Sequence, residues 1–332
     1  MRFYNKNHDF YCGIDLHSTK MYLCILDKDG EKVLHRNMKA SPGAFLKAIA
    51  PFRENLVVSA ECIFCWYWLA DLCEDEGIPF ILGHALYMKA IHGGKAKNDR
   101  IDAFKIATIL RGGTFPEAYV YPRGMRSTRD LLRRRSHLVT MRGDFLAHAQ
   151  MSHYQHALEK PTARLAYKAN RIGVADAFED DSARRSVEID FVMAGYLDLE
   201  IRALELELKR KAKAHQPESF ALLKTIPGVG DILAMTILYE IHTIDRFESV
   251  QKFASYSRLV KCAKESNGKR MGSSGSKIGN AHLKWAYSEA AVLFLRCNDR
   301  GKKYLAKLER KHGKGKSLSI LAHKLGRAST TC

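Results

Sequence analysis

The chain has 332 residues, 46% of them hydrophobic, and carries 54 Lys+Arg against 36 Asp+Glu for a formal net charge of +18. That length suits two or three folded units with their own cores, and the apolar content excludes a disordered chain. No apolar run approaches the ~18 residues that cross a bilayer, and the opening stretch, Met1 to Asp9, lacks the apolar core of a signal peptide. A soluble, cytoplasmic protein with no membrane partner is expected.

The charge is unevenly placed. Residues 1–110 carry 14 basic and 13 acidic side chains, a net of +1, whereas residues 111–332 carry 40 and 23, a net of +17. A polyanion is therefore expected on the second part of the chain. Eight cysteines are too few, in a chain this long, to imply the disulfide framework of a small secreted domain. Cys62-x-x-Cys65 has no second Cys or His pair at zinc-ligand spacing, so free thiols are expected.

In chain order, residues 11–17 and 21–26 are short apolar runs separated by Ser18-Thr19-Lys20. Asp27 to Gly30 then supplies a turn before Glu31 to Met38, so the pattern predicts a three-strand meander with Asp15 at its centre. A helix over about Pro42 to Pro51 follows, then the strand Leu56 to Ala60 ending at Glu61, a helix over about Cys65 to Glu76 and the strand Phe80 to Leu82. Alternating strands and helices after a meander predict an α/β domain with a mixed sheet.

Asp15 lies inside an apolar strand and Glu61 ends another, positions where a carboxylate needs a cation, a hydrogen-bond network or a metal. Further on, Asn98 is a candidate N-cap for an amphipathic helix whose first turn projects Asp99 and Asp102 from one face. Taken singly, those two acids also suit a plain helix N-terminus. Four acids from two strands and one helix form an oxygen-rich set that suits Mg²⁺ and phosphodiester chemistry.

Between Arg126 and His215 the pattern is helical, with Arg133, Arg134 and Arg135 suited to phosphate contact. A second helix repeats apolar residues at Ile189, Val192, Tyr196, Leu199, Ala203 and Leu206, a coiled-coil spacing that serves either an intramolecular hairpin or dimerisation. Beyond it, Leu222 to Ile241 reads apolar helix, Pro227-Gly228-Val229-Gly230 turn, apolar helix. This is the form of a helix-hairpin-helix that holds nucleic-acid backbone at its glycines. Residues 261–280 form a loop rich in Gly and Ser with Lys264, Lys269, Arg270 and Lys277, feeding a helix over Ala281 to Leu295. Such a loop either grips a phosphate or presents a serine nucleophile. The last basic stretch, Arg296 to Arg327, is interrupted by Gly301, Gly313 and Gly315 and is expected to be a basic tail for phosphates.

Gly13-Ile14-Asp15-Leu16-His17, the isolated Glu61 and Lys97-Asn98-Asp99-Arg100-Ile101-Asp102-Ala103 resemble the Asp-Glu-Asp-Asp signature of the insertion-sequence 110 transposases. These are related to Piv-type invertases and act as bridge-RNA-guided serine recombinases. Lys264-Glu265-Ser266-Asn267-Gly268-Lys269 and Gly279-Asn280-Ala281-His282-Leu283-Lys284 resemble that family's C-terminal domain, with Ser-Asn-Gly where many relatives have Ser-Ser-Gly and Lys284 in place of the usual Arg.

The resemblance implies a RuvC-like, ribonuclease-H-type catalytic domain over 1–115, a helical coiled-coil dimerisation region over 116–215 and a C-terminal transposase domain over 216–332. Asp15, Glu61, Asp99 and Asp102 would bind Mg²⁺, and Ser266, with Ser276 as runner-up and Ser273 and Ser274 behind, would attack DNA. It further implies a homodimer or homotetramer with a composite site, donor and target DNA as substrates, a structured guide RNA and a place in the prokaryotic cytoplasm at the nucleoid. A metal-dependent nuclease or junction resolvase without a covalent intermediate, and a noncatalytic nucleic-acid scaffold, are the alternatives.

Overall fold

The computed structural model describes residues 2–91, 98–274, 278–296 and 298–330; Lys97, Ser276 and Lys277 lie outside them. The chain divides into two compact units, Met1–Arg123 and Gly124–Cys332.

In the first unit, strand β1 (Phe3–Tyr4) precedes β2 (Phe10–Leu16), β3 (Lys20–Asp27) and β4 (Lys32–Lys39), and helix α1 (Pro42–Ile49) leads to β5 (Leu56–Glu61). Helix α2 (Tyr67–Asp75), β6 (Phe80–Gly83), α3 (Ala85–Ile91), α4 (Asp99–Arg111) and β7 (Phe115–Pro116) complete it. The meander, the following helix and both later strands were expected. Helix α3 was not, and β7 closes an antiparallel two-stranded sheet with β1. The main sheet has the order β4-β3-β2-β5-β6, antiparallel through β4-β3-β2 and parallel through β2-β5-β6.

Period-two alternation sorts each central strand between two layers. Cys12, Ile14 and Leu16 of β2, with Val58 and Ala60 of β5, are buried in one cluster with Phe45 and Ile49 of α1 and Leu69 and Cys73 of α2. The opposite face takes α4: Ala103 and Ala107 pack with Cys24 and Leu26 of β3, and Ile106 with Tyr11 and Val57. At Gly13 the helix lies so close that an added Cβ would stand 2.2 Å from the Ala107 amide nitrogen and 2.6 Å from the Ala103 carbonyl oxygen. Glycine is required here for close approach, because backbone cannot yield as a side chain can.

The second unit begins one residue into α5 (Arg123–Gln155) and continues with α6 (Asp181–His215), the latter capped by Asp180, whose carboxylate accepts from the Ala183 amide at 2.8 Å. The ion pairs Arg135–Glu205 and Arg142–Asp198 and the His148–Asp190 hydrogen bond run up one helix as they run down the other, so the two are antiparallel. Leu146, Ala149, Val187 and Ala194 pack between them. The face of α6 turned inward carries Val187, Ala194, Leu197, Ile201 and Leu208. The heptad-like series expected from the sequence is a different stripe: Ile189, Val192, Tyr196, Leu199 and Leu206 are 46–72% exposed.

Helices α7 (Pro217–Lys224), α8 (Asp231–Ile241) and α9 (Val250–Tyr256) follow, then strands β8 (Cys262–Ser266) and β9 (Lys269–Ser274), and helices α10 (Ala281–Phe294), α11 (Asp299–His312) and α12 (Lys314–Ala328). Two expectations are corrected. Residues 262–274 are an antiparallel β-hairpin rather than an irregular loop. Its turn is Asn267-Gly268, with φ of +49° and +70°, the left-handed pair that a two-residue type I′ hairpin requires. The final basic stretch is not a tail: α12 buries Leu321, Ala322 and Leu325, in a unit whose α10 buries Leu283, Ala286 and Ala290. Of the three glycines expected to break it, Gly313 alone does, at φ +74°, while Gly301 and Gly315 lie inside helices.

Candidate acidic site and serine hairpin

The alternation that sends Ile14 into the α1/α2 layer leaves Gly13 and Asp15 on the α4 side of the sheet, where Val57, Ser59 and Glu61 of β5 also fall. β2 and β5 are parallel and paired through Ile14 and Ala60, so Asp15 and Glu61 follow at the same ends of neighbouring strands. Helix α4 contacts β2 through Ala103 and Ala107, and Asp99 stands one turn before Ala103 on the same face. Asp102 stands one turn before Ile106, which packs with Val57 of β5. Asn98 caps the helix, its side-chain oxygen accepting from the Ile101 amide at 2.8 Å. Close approach at Gly13 thereby brings the first turn of α4 over the strand ends.

Within this arrangement Asp15, His17 and Asp99 offer ligand atoms all within 4.8 Å of one another. His17 Nε2 lies 3.5 Å from Asp15 Oδ2 and 3.6 Å from Asp99 Oδ1. Asp102 is drawn to Lys105 at 3.8 Å, and neither it nor Glu61 is in the three-residue ligand group. Burial pushes the Asp15 carboxyl above its ordinary range; His17 opposes this, while Asp99, Asp102 and Glu61 push it further up. With Asp99, Asp102 and Glu61 all acting on Asp15, the strand ends gather carboxylate oxygens, which fits a hard divalent cation. His17 was not anticipated as part of the site. Its signal was its i+2 position from Asp15, which puts it on the same face of the strand direction.

In the second unit, Ser266 ends β8 at the hairpin tip, exposed, directly across from exposed Lys269. The side chains of Lys264, Arg270, Ser273 and Ser274 lie outside the described set.

Of the helix-hairpin-helix glycines, Gly228 is packed against α10, where a Cβ would stand 2.5 Å from the Phe294 amide nitrogen. Gly230 caps α8 with nothing within 4 Å of where a Cβ would sit. The adjoining Asp231 is held below the usual carboxylate range by Lys209 and Lys224, at 2.5 and 2.6 Å.

The three successive arginines of α5 divide. Arg134 is exposed, Arg135 pairs with Glu205, and Arg133 donates to Glu240 Oε1 at 2.7 Å. Glu240, 1% exposed, also accepts from Arg129 at 2.8 Å and from the Asn280 amide at 2.8 Å. Asn280 in turn caps α10 through the amides of His282 and Leu283. One buried carboxylate thus joins α5, α8 and the start of α10, a connection between distant segments that the sequence does not announce.

Comparison with known proteins places these two halves in one family. A DEDD transposase model of the IS110 type, described as "Transposase", matches residues 12–152, and a model described as "Transposase IS116/IS110/IS902 family" matches residues 220–306. The chain is also 23% identical over 319 residues to the transposase for insertion sequence element IS1111A of Coxiella burnetii (strain RSA 493 / Nine Mile phase I), covering 94% of this chain and 86% of that one. The chain belongs to the IS110 family of transposases. It is accordingly an enzyme that cuts and rejoins DNA, and residues 12–152 carry a match to the DEDD transposase domain, RuvC-like in this family. Divalent-metal dependence goes with that domain. The transposase has, among the described residues, no helix long and apolar enough to cross a membrane.

Proposed function

We propose that this IS110-family transposase recombines DNA through a Mg²⁺-binding site made by Asp15, Glu61, Asp99 and Asp102 and through Ser266 as nucleophile. The observation that carries the acidic half is the convergence of Asp15, Asp99 and His17 at the strand ends, with Glu61 and Asp102 close enough to raise the Asp15 carboxyl further. When bound, Mg²⁺ would neutralise charge on the scissile phosphate. The exposed position of Ser266 at a tight hairpin tip across from Lys269 supports its role. Its Oγ attacks phosphorus and loses its proton, the P–O bond to one sugar breaks, and that sugar oxygen leaves as a hydroxyl. The reverse attack by a sugar hydroxyl on the phosphoserine rejoins the strands, so no hydrolysis is needed. Arg134, Gly230, Lys264, Lys269, Arg270 and Lys277 hold nucleic-acid backbone in this account, with Ser276 the alternative nucleophile.

Replacing Ser266 with Ala separates this reading from a water-using nuclease. Strand exchange on labelled donor and target DNA is lost in the variant, whereas continued cutting at the wild-type rate would identify a nuclease. We further propose that a structured RNA encoded beside the gene selects the DNA by pairing; recombination at full rate without RNA would overturn that part.

The exposed stripe of α6 supports a dimer, because a helix face carrying Ile189, Val192, Tyr196, Leu199 and Leu206 in solvent matches a second copy of itself at coiled-coil spacing. Val192→Glu together with Leu199→Glu should turn the dimer into a monomer in light scattering. A wild-type protein already monomeric at micromolar concentration would contradict it.

A further inference from the structure

Phe64 is 83% exposed, among the most exposed large apolar side chains of the protein. A single apolar residue at the surface is ordinary; the position of this one is not. It sits in the five-residue connection between Glu61, the last residue of β5, and the start of α2 at Tyr67.

That connection is held at both sides of Phe64. The Cys62 amide donates to the Gly83 carbonyl at 2.9 Å and the Ile63 amide to the Glu61 carbonyl at 2.9 Å. The Cys65 thiol reaches the Leu16 carbonyl, next to Asp15, at 3.7 Å. Trp66 is buried, with its ring edge-on to Tyr67 at 4.6 Å between centroids. The backbone is thus tied to the ends of β2 and β5, the strands that carry Asp15 and Glu61, and the Phe64 ring is left in solvent beside them.

We propose that Phe64 stacks on a nucleobase flanking the cut, holding the DNA in a locally unstacked form so that the scissile phosphate can reach the acids. The inference rests on the reading of those acids as the cutting site. A phenyl ring suits the task because every base has a π-face, which makes the contact tolerant of sequence and consistent with target choice made elsewhere. Apolar side chains that enter between base steps also kink a duplex, opening the backbone at the step they enter. Lys and Arg side chains would hold the phosphates without unstacking anything.

The test uses the full-length protein, the RNA encoded beside its gene and labelled DNA carrying the element's end, either fully paired or with one mismatched base pair beside the cut. Phe64→Ala should cut the paired DNA about 10- to 100-fold more slowly than wild type, the range expected for one lost base–aromatic stack. On the mismatched DNA, where the base is already free to leave the stack, it should recover to within about threefold. Phe64→Trp should keep the wild-type rate on both. Wild-type cutting of paired DNA by Phe64→Ala, or an equal loss on both substrates, would overturn the proposal. Asp15→Asn distinguishes the two claims: inactivity on both DNAs keeps the acidic site, and cutting by that variant would remove the foundation on which the role of Phe64 stands.

Discussion

Asp15→Asn should abolish DNA cutting while leaving the first unit at least as stable as the wild type in metal-free buffer. Loss of a group that merely orients a metal ligand costs about 10- to 100-fold, so loss of the central carboxylate itself should cost more than about 100-fold. The stability half follows from the surroundings of Asp15. Burial and three neighbouring acids raise its carboxyl above the ordinary range, which means that carrying the charge at neutral pH costs folding free energy. Asparagine keeps the shape and removes the charge. Mg²⁺ reverses the order, because an ion bound by the folded state alone stabilises it in proportion to its occupancy. Calorimetric melts should therefore show wild type rising with Mg²⁺ and Asp15→Asn unmoved. A variant that melts well below wild type without metal would mean that Asp15 is a structural residue.

The second large effect belongs to Glu240. Its carboxylate, 1% exposed, takes two arginines and Asn280. Burial alone would raise it, but the Arg133 hydrogen bond, the charges of Arg129 and Arg133 and the Asn280 bond bring it down to about 2. Glu240→Ala removes the buried acceptor that Arg129, Arg133 and Asn280 share, and breaking one side of a buried ion pair costs about 3–5 kcal/mol. In a unit of this size that lowers Tm by on the order of 10 °C. The pH dependence has a definite sign. With a folded value near 2 against 4.5 for the free carboxyl, the stabilisation is fully present above about pH 4.5 and lost as pH falls toward 2. Glu240→Gln cannot titrate there, so its Tm should fall less than that of wild type between pH 5 and pH 2.5. Parallel curves for the two proteins would mean that Glu240 is not the ionised hub described.

Much of the first unit could be read from residue order because its information is local. Alternation in β2 and β5, the turn at Asp27 to Gly30 and the cap at Asn98 each need only a few neighbouring residues, and together they put four acids at one end of the sheet. His17 escaped because, as the last residue of the apolar run 11–17, it carries no local sign of its approach to Asp99. Ser266 lies in a hairpin whose Asn267-Gly268 turn was visible, yet the Gly, Ser and Lys around it hid the strand pattern. Helix α6 carries two apolar stripes, and no count along the chain tells which one the protein buries; α5 decides that. Arg133 and Arg135 were legible as charge, but their partners lie 107 and 70 residues away, and only the fold pairs them.

Ser266 is proposed to become covalently attached to DNA while the acids act. The test is to incubate the full-length transposase with Mg²⁺ and labelled element-end DNA, with and without RNA transcribed from the sequence flanking its gene, digest the product and sequence the modified peptide by mass spectrometry. A nucleotide adduct on Ser266, absent from Asp15→Asn, is expected. Cut and rejoined DNA with no adduct on any serine, or an adduct on a serine other than Ser266, would contradict it.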